Sequence, residues 1–237
     1  GETDTGSTAS IGGLSSDFYK RIGNHYGKTG RGFRFEPSVA RQIFESYVSE
    51  YALDIRFGSP LRSVEMAGQR IVSISAGNNL KVSARIFIDT SYEGDLMAEA
   101  GVTYTVGREP NSQYGETLNG VRDETPKHQF LIDIDPYLVP GDPASGLLPH
   151  IQNQALKKPG SGDELIQAYN YRLCLTNDPA NRLPIPKPEG YDPKEYELLG
   201  RYTEQRVAAG HDLVLRDFIK MSTIPNNKLD VNNFGAF

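Results

Sequence analysis

Apolar residues fall at helical spacing in two early stretches of the chain. Leu14, Phe18, Tyr19 and Ile22 share one helical face, with Ser15 or Ser16 placed to cap it and glycine-rich loops on either side. Val39, Ile43, Phe44, Tyr47, Val48 and Tyr51 recur at i, i+4, i+5, i+8, i+9 and i+12. That spacing predicts an amphipathic helix of about four turns, opening at Pro37. The period then changes. Leu53, Ile55 and Phe57 alternate as in a short strand, and Leu61–Met66 and Arg70–Ala76 read as two strands around a turn at Gly68. After a second turn at Gly77, Asn78 and Asn79, the residues Leu80, Val82, Ala84, Ile86 and Ile88 alternate again, with Phe87 added. This predicts a buried strand, parallel at its end, that stops at Asp89. Residues 94–100 read as a helix ended by Gly101.

The second half is less regular. Seven prolines punctuate residues 102–165, where Phe130, Leu131, Ile132 and Ile134 offer one strand. Tyr169–Leu175 reads as another. Pro184, Pro186 and Pro188 are spaced as in a polyproline II stretch, Glu195–Ala209 reads as a helix, and Leu213–Ile219 fits either a helix or a strand. The tail from Met221 is rich in asparagine.

Composition narrows the function. Of 237 residues, 38% are hydrophobic and 23% charged, which is enough apolar material for a core. Lys and Arg total 25 against 30 Asp and Glu, a net charge of −5. The basic surplus needed to grip nucleic acid or an anionic membrane is absent, and no apolar run nears the ~20 residues of a membrane span. The 24 glycines and 15 prolines, outside any repeat, predict a loop-rich fold. One cysteine excludes an internal disulfide and a cysteine-based zinc cluster. Cys174 lies in an apolar run and reads as a buried, inert thiol. His25, His128, His150 and His211 are scattered without metal-ligand spacing.

Two glycine-rich stretches fail as phosphate cradles. Gly1 to Thr8 runs G-x-x-x-x-G-S-T, with Ser7 where the phosphate-binding lysine belongs, and Gly30 and Gly32 lack the third glycine of a dinucleotide fingerprint. The segment Ile86 to Asp95 carries more. A strand running into Asp89, Thr90, Ser91 and Gly94 puts backbone N–H groups at its C-terminal edge, where open α/β sheets bind ligands. A helix starting near Gly94 or Asp95 would aim its N-terminus at the same crevice. An ordinary strand-to-helix turn capped by Thr90 or Asp95 fits the spacing equally well.

The stretch Phe87-Ile-Asp-Thr-Ser-Tyr-Glu-Gly-Asp-Leu-Met-Ala-Glu-Ala-Gly-Val102 resembles the strand-and-turn signature of a bacterial FAD-dependent oxidoreductase family, whose members often carry a xanthan lyase label. Further landmarks follow in order. They include Gly12–Tyr19, Phe35–Ala40, Val106-Gly-Arg-Glu109, Tyr114-Gly-Glu116, Ala168–Thr176, Gly190-Tyr-Asp-Pro193 and Pro225–Asn233. The resemblance implies an α/β fold with α+β elements: a partial FAD/NAD(P)-binding-type domain of the glutathione-reductase kind, with a β-meander and an inserted β-rich substrate domain. It places the partial FAD-binding domain at 1–105, the substrate insertion at 106–220, and a return segment at 221–237. It also implies FAD contacts at Leu61, Thr90, Ser91, Glu93, Gly94 and Asp95. Arg108, Lys228 and Asn232, with Asp230 and Asn233, would face the flavin or substrate, or form a solvated loop.

This sequence departs from the family pattern at one point. The G-x-G-x-x-G unit that would hold the FAD pyrophosphate is missing, so the resemblance implies an internal piece of a longer protein. On that reading FAD belongs to the parent and is not retained by this chain alone. The substrate would be a small molecule, with a carbohydrate or sugar acid suggested by the family labels. Unpaired strand edges would favour self-association. Two other readings stay open: a flavin-free binding or structural module, and a polysaccharide lyase or hydrolase using Glu93 with Asp95, or Glu109 with Glu116.

Overall fold

Both predicted N-terminal helices form, as α1 (Gly13–His25) and α2 (Pro37–Glu50). In chain order they are followed by β1 (Leu61–Ala67), β2 (Arg70–Ala76), β3 (Leu80–Val82), α3 (Asp95–Glu99), α4 (Asn111–Tyr114), β4 (Leu173–Thr176), α5 (Glu197–Ala208), β5 (Ile219–Ile224) and β6 (Lys228–Asn233). The computed structural model describes residues 6–125, 128–167 and 169–233, with only the backbone of Asn233. Gly1, Pro126, Ala168 and the terminal Phe234 to Phe237 lie outside the described residues. Helices mixed with two small antiparallel sheets match the expected partial α/β domain.

The chain divides into two units. The first comprises the residues up to Glu45, Arg108–Asp163 and the residues from Gln167 onward; the second is Ser46–Gly107 with Glu164–Ile166.

In the first unit, Ile22 of α1 is fully buried beside a close backbone crossing. A Cβ on Gly23 would lie 2.0 Å from the Gly30 carbonyl oxygen, so only glycine fits there. The following loop folds back on α1, with the Gly32 N–H donating to the Tyr19 carbonyl at 2.8 Å. Phe18 stacks on Phe44 at 4.9 Å and meets Phe35 edge-on at 6.0 Å. Gly12, rather than Ser15 or Ser16, occupies the N-cap position of α1. Val39 and Ile43 are the buried residues of α2, while Phe44 stays 58% exposed.

The sheet of the first unit has the order β4-β6-β5, antiparallel throughout. The asparagine-rich tail thus becomes the β5–β6 hairpin, turning at Asn226 and Asn227 with φ of 62° and 56°. Asparagine tolerates that left-handed conformation better than most residues, which explains the composition. Leu213–Ile219 resolves into a short 3₁₀ turn at Leu215–Asp217 and the start of β5. Leu173–Thr176 is the part of Tyr169–Leu175 and its neighbour that pairs, and Glu195–Ala209 is helical as expected.

The second unit holds the predicted meander. Val64 pairs with Ile74, which pairs in turn with Val82, and Asn78 and Asn79 turn at φ of 60° and 57°. The Ser73 hydroxyl and Lys81 Nζ both donate to Glu65 Oε2, at 2.6 and 2.8 Å. The Lys81 bond is the leading reason that the Glu65 carboxyl pKa lies below its ordinary value.

Several expectations fail. β3 ends at Val82, and Ile86 and Ile88 are each 77% exposed, so the buried strand to Asp89 does not form. Residues 84–88 have no ladder partner among the described residues, and an unpaired segment gains nothing from extended apolar alternation. Leu53–Phe57 fails for the same reason, with Phe57 87% exposed. Ile132 and Ile134 form no strand. Cys174 is exposed, because β4 is an edge strand and alternation turns this residue to the polar face of its sheet. Among the described residues, no helix is long and apolar enough to cross a membrane and no His, Cys, Asp and Glu cluster is arranged to hold a metal ion.

Candidate functional site

The polar positions of β6 recur with period two, which places Lys228, Asp230 and Asn232 on one face and Leu229 and Val231 on the other. Register adds neighbours to the polar face: Cys174 and Ser222 lie opposite Asp230, and Lys220 lies opposite Asn232. Asp230 is buried, and its Oδ2 sits 2.7 Å from the Arg172 guanidinium. Asn232 accepts a hydrogen bond from the Asn170 amide. Three strands and the adjoining Arg172 thus gather three cations, a carboxylate, a thiol, a hydroxyl and the Asn232 amide on one face of the sheet.

Lys228 is committed elsewhere. Its ammonium donates to Glu36 Oε1, while Asn226 Nδ2 and the Tyr26 hydroxyl donate to Glu36 Oε2 at 2.6 and 3.1 Å. The same Tyr26 oxygen accepts from the Glu36 N–H at 2.9 Å. Glu36 stands where α2 begins, its carbonyl accepting from the Val39 N–H at 3.0 Å. Burial pushes the Glu36 pKa up, but the donors from Lys228, Asn226 and Tyr26 outweigh it and hold the carboxyl below its ordinary value. The partnership with Glu36 raises the Lys228 pKa, so this ammonium stays charged and is no candidate base. Tyr26 is raised chiefly by burial.

Arg108 is also held. It makes a two-pronged ion pair with Asp163, with Nε 3.0 Å from Oδ1, and the two residues exchange backbone hydrogen bonds. The Asp163 side chain is 4% exposed, and its hydrogen bond is the main cause of the raised Arg108 pKa. This arrangement ties residues 108 and 163 together and commits the Arg108 guanidinium to Asp163.

The residues expected at a cofactor lie in the second unit. Thr90, Ser91, Glu93, Gly94 and Asp95 form one turn before α3, and α3 packs on β1, whose first residue is Leu61. The turn is organised by Asp89, not by Thr90 or Asp95. Asp89 Oδ1 accepts from the Ser91 hydroxyl at 2.7 Å and the Ser91 N–H at 2.9 Å, and Oδ2 accepts from the Met97 N–H at 3.1 Å. The Ser91 hydroxyl oxygen accepts in turn from the Gly94 N–H at 3.0 Å. The Ser91 bonds, followed by that from Met97, lower the Asp89 pKa. Gly94 takes φ of 69°, which the backbone needs in order to enter the helix.

The FAD dependent oxidoreductase family model matches residues 1–236. The chain belongs to this family. Among curated proteins none matches it, and no solved structure does.

The residues of the turn do not fit the FAD pyrophosphate. An anion there needs free backbone donors, and the N–H groups of Ser91, Gly94 and Met97 are already bound by Asp89 and Ser91. A carboxylate at the helix start also repels a phosphate. The structure therefore brings Leu61's strand and the Thr90–Asp95 turn together in one unit, and gathers Lys228, Asp230 and Asn232 with unpredicted residues in the other. Those missed are Tyr26, Glu36, Arg172 and Asn226. The alternation Lys228-Leu-Asp-Val-Asn232 was a legible strand signal, whereas nothing local links Glu36 to Lys228.

Proposed function

We propose that this oxidoreductase chain forms the substrate side of an FAD-dependent reaction on a polar small molecule, with the dinucleotide pyrophosphate held by donors other than those of the Asp89–Met97 turn. The observation that supports this most is the polar face of β4-β6-β5, where Arg172, Asp230, Ser222, Asn232 and Lys220 converge. Its mixture of cations, amide and hydroxyl suits a polyhydroxylated carboxylate such as a sugar acid: the cations hold the carboxylate, and the amide and hydroxyl meet ring hydroxyls. Asp230, paired with Arg172, orients the guanidinium. Lys228, paired with Glu36, anchors β6 at one end of this same face.

Two measurements test the reading. Calorimetric titration with glucuronate should show binding that Lys220→Ala weakens severalfold, and no binding would overturn the substrate assignment. Flavin released on denaturation after incubation with excess FAD should be far below one per chain. Near-stoichiometric FAD would overturn the expectation that this chain alone does not retain the cofactor.

A further inference from the structure

Arg201 of α5 holds the loop around Leu148. Arg201 donates to the backbone carbonyls of Asp135, Tyr137 and Leu138 at 3.1, 2.7 and 3.2 Å, and to Glu197 Oε1 at 2.9 Å. The loop closes on itself as the buried Leu148 gives its N–H to the Pro136 carbonyl at 2.9 Å. The next two residues, Pro149 and His150, thereby reach a defined place near the start of α5. His150 adopts φ of 67°, an uncommon left-handed conformation for a residue with a side chain. Its Nε2 lies 2.6 Å from Glu195 Oε2. Glu195 is itself set by a 3₁₀ turn, Pro193–Tyr196, whose start is capped by Asp192 accepting from the Lys194 N–H at 3.0 Å.

Behind this pair lies a cleft of about 460 Å³, lined by Pro149, His150, Glu195, Tyr196, Leu198 and Leu199. The size falls within the roughly 300–1,000 Å³ of small-molecule sites. Two leucines, a proline and an aromatic ring make its walls apolar. The Tyr196 ring is steadied by stacking on Tyr191 at 5.4 Å. Among the described residues, the polar side chains of the lining are the imidazole, the carboxylate and the Tyr196 hydroxyl.

We propose that this cleft is a second ligand site, for a neutral ring compound bearing a hydroxyl group, and that His150 Nδ1 accepts the hydroxyl hydrogen. A carboxylate only accepts, so the contact with Glu195 puts the imidazole proton on Nε2 and leaves the Nδ1 lone pair for a donor. The Glu195 charge at the rim disfavours anions, and the apolar walls favour a ring over a flexible polar chain. The site lies away from the polar face of β6 in sequence and in the residues it uses, and it rests on neither flavin nor sugar-acid binding.

The test uses naphthol and its methyl ether, two fluorescent rings that differ in the hydroxyl donor. Naphthol should bind about threefold to fivefold more tightly than the ether, the worth of one added hydrogen bond at a partly exposed acceptor. His150→Leu, at a side chain 74% exposed, should erase that preference and leave ether binding in place. Leu199→Trp should fill the cleft and abolish both. Glu195→Gln gives an independent check, because an amide supports either imidazole tautomer and should reduce the preference. Failure of both rings to bind, equal binding of the two, or a preference that survives both His150→Leu and Glu195→Gln would overturn the proposal.

Discussion

Lys228 and Glu36, 192 residues apart in sequence, meet as an ion pair that ties the β5–β6 hairpin to the start of α2. The Glu36 side chain is 8% exposed and also accepts from Asn226 and Tyr26. One carboxylate thus joins α1's C-terminal end, the first turn of α2 and the central strand of a sheet. Lys228, on the same face of β6 as Asp230 and Asn232, anchors that strand to the start of α2.

Removing the carboxylate should be costly. Glu36→Ala leaves three donors without their acceptor in a mostly buried place, and a loss of about 2–3 kcal/mol is expected by urea unfolding. Lys228→Met should destabilise in the same direction, and the double variant should lose less than the sum of the singles. Additive losses would show that the two groups do not interact.

The pH dependence has a definite sign. A carboxyl with a lowered folded pKa contributes stability that is present above its unfolded value, near 4.3, and is lost as the pH falls through the folded value. The stability gap between the native chain and Glu36→Gln should therefore be full at neutral pH and shrink as the solution is acidified below about pH 4.5. A gap that stays constant down to the lowest accessible pH would contradict the assignment. At the alkaline end the raised Lys228 and Tyr26 values act the other way, with stability present below their unfolded values and lost as the pH rises through the folded ones.

Arg108→Ala should act on stability rather than on ligand binding. It strips the guanidinium from a carboxylate only 4% exposed, at a cost of roughly 2 kcal/mol, while glucuronate affinity stays within twofold. A large loss of affinity at unchanged stability would instead place Arg108 at the substrate.

Asp89→Ala should loosen the turn before α3. Amide hydrogen exchange at Ser91 and Met97 should quicken severalfold, with little change in the first unit. In that variant the released N–H groups become available to an anion, so phosphate protection of these amides in Asp89→Ala, and not in the native chain, would show that Asp89 is what closes the site.

Cys174 offers a simple check on the sheet. An exposed thiol on an edge strand should react with a disulfide reagent in the folded state at a rate near that of the denatured chain, giving one equivalent per chain. Strong protection would mean that the polar face is covered.

Local patterns were enough for α1, α2, the β1–β3 meander and α5, because each is set by spacing over neighbouring residues and by turns at glycine or asparagine. The same local logic misread Ala84–Ile88, whose alternation is that of a strand but whose hydrogen bonds need a neighbour the pattern cannot supply. It also misread Cys174, since an apolar run does not say which strand lies at an edge. In the turn after Asp89, the sequence showed small and hydroxyl residues suited to an anion, and only the folded geometry revealed that Asp89 takes those donors itself. The sequence by itself determined the family, the helices and the meander, since these depend on residue identity and short-range periodicity. Tertiary structure decided which polar groups meet, as with Glu36 and Lys228 or His150 and Glu195, because an ion pair depends on distance in space and leaves no periodic trace along the chain.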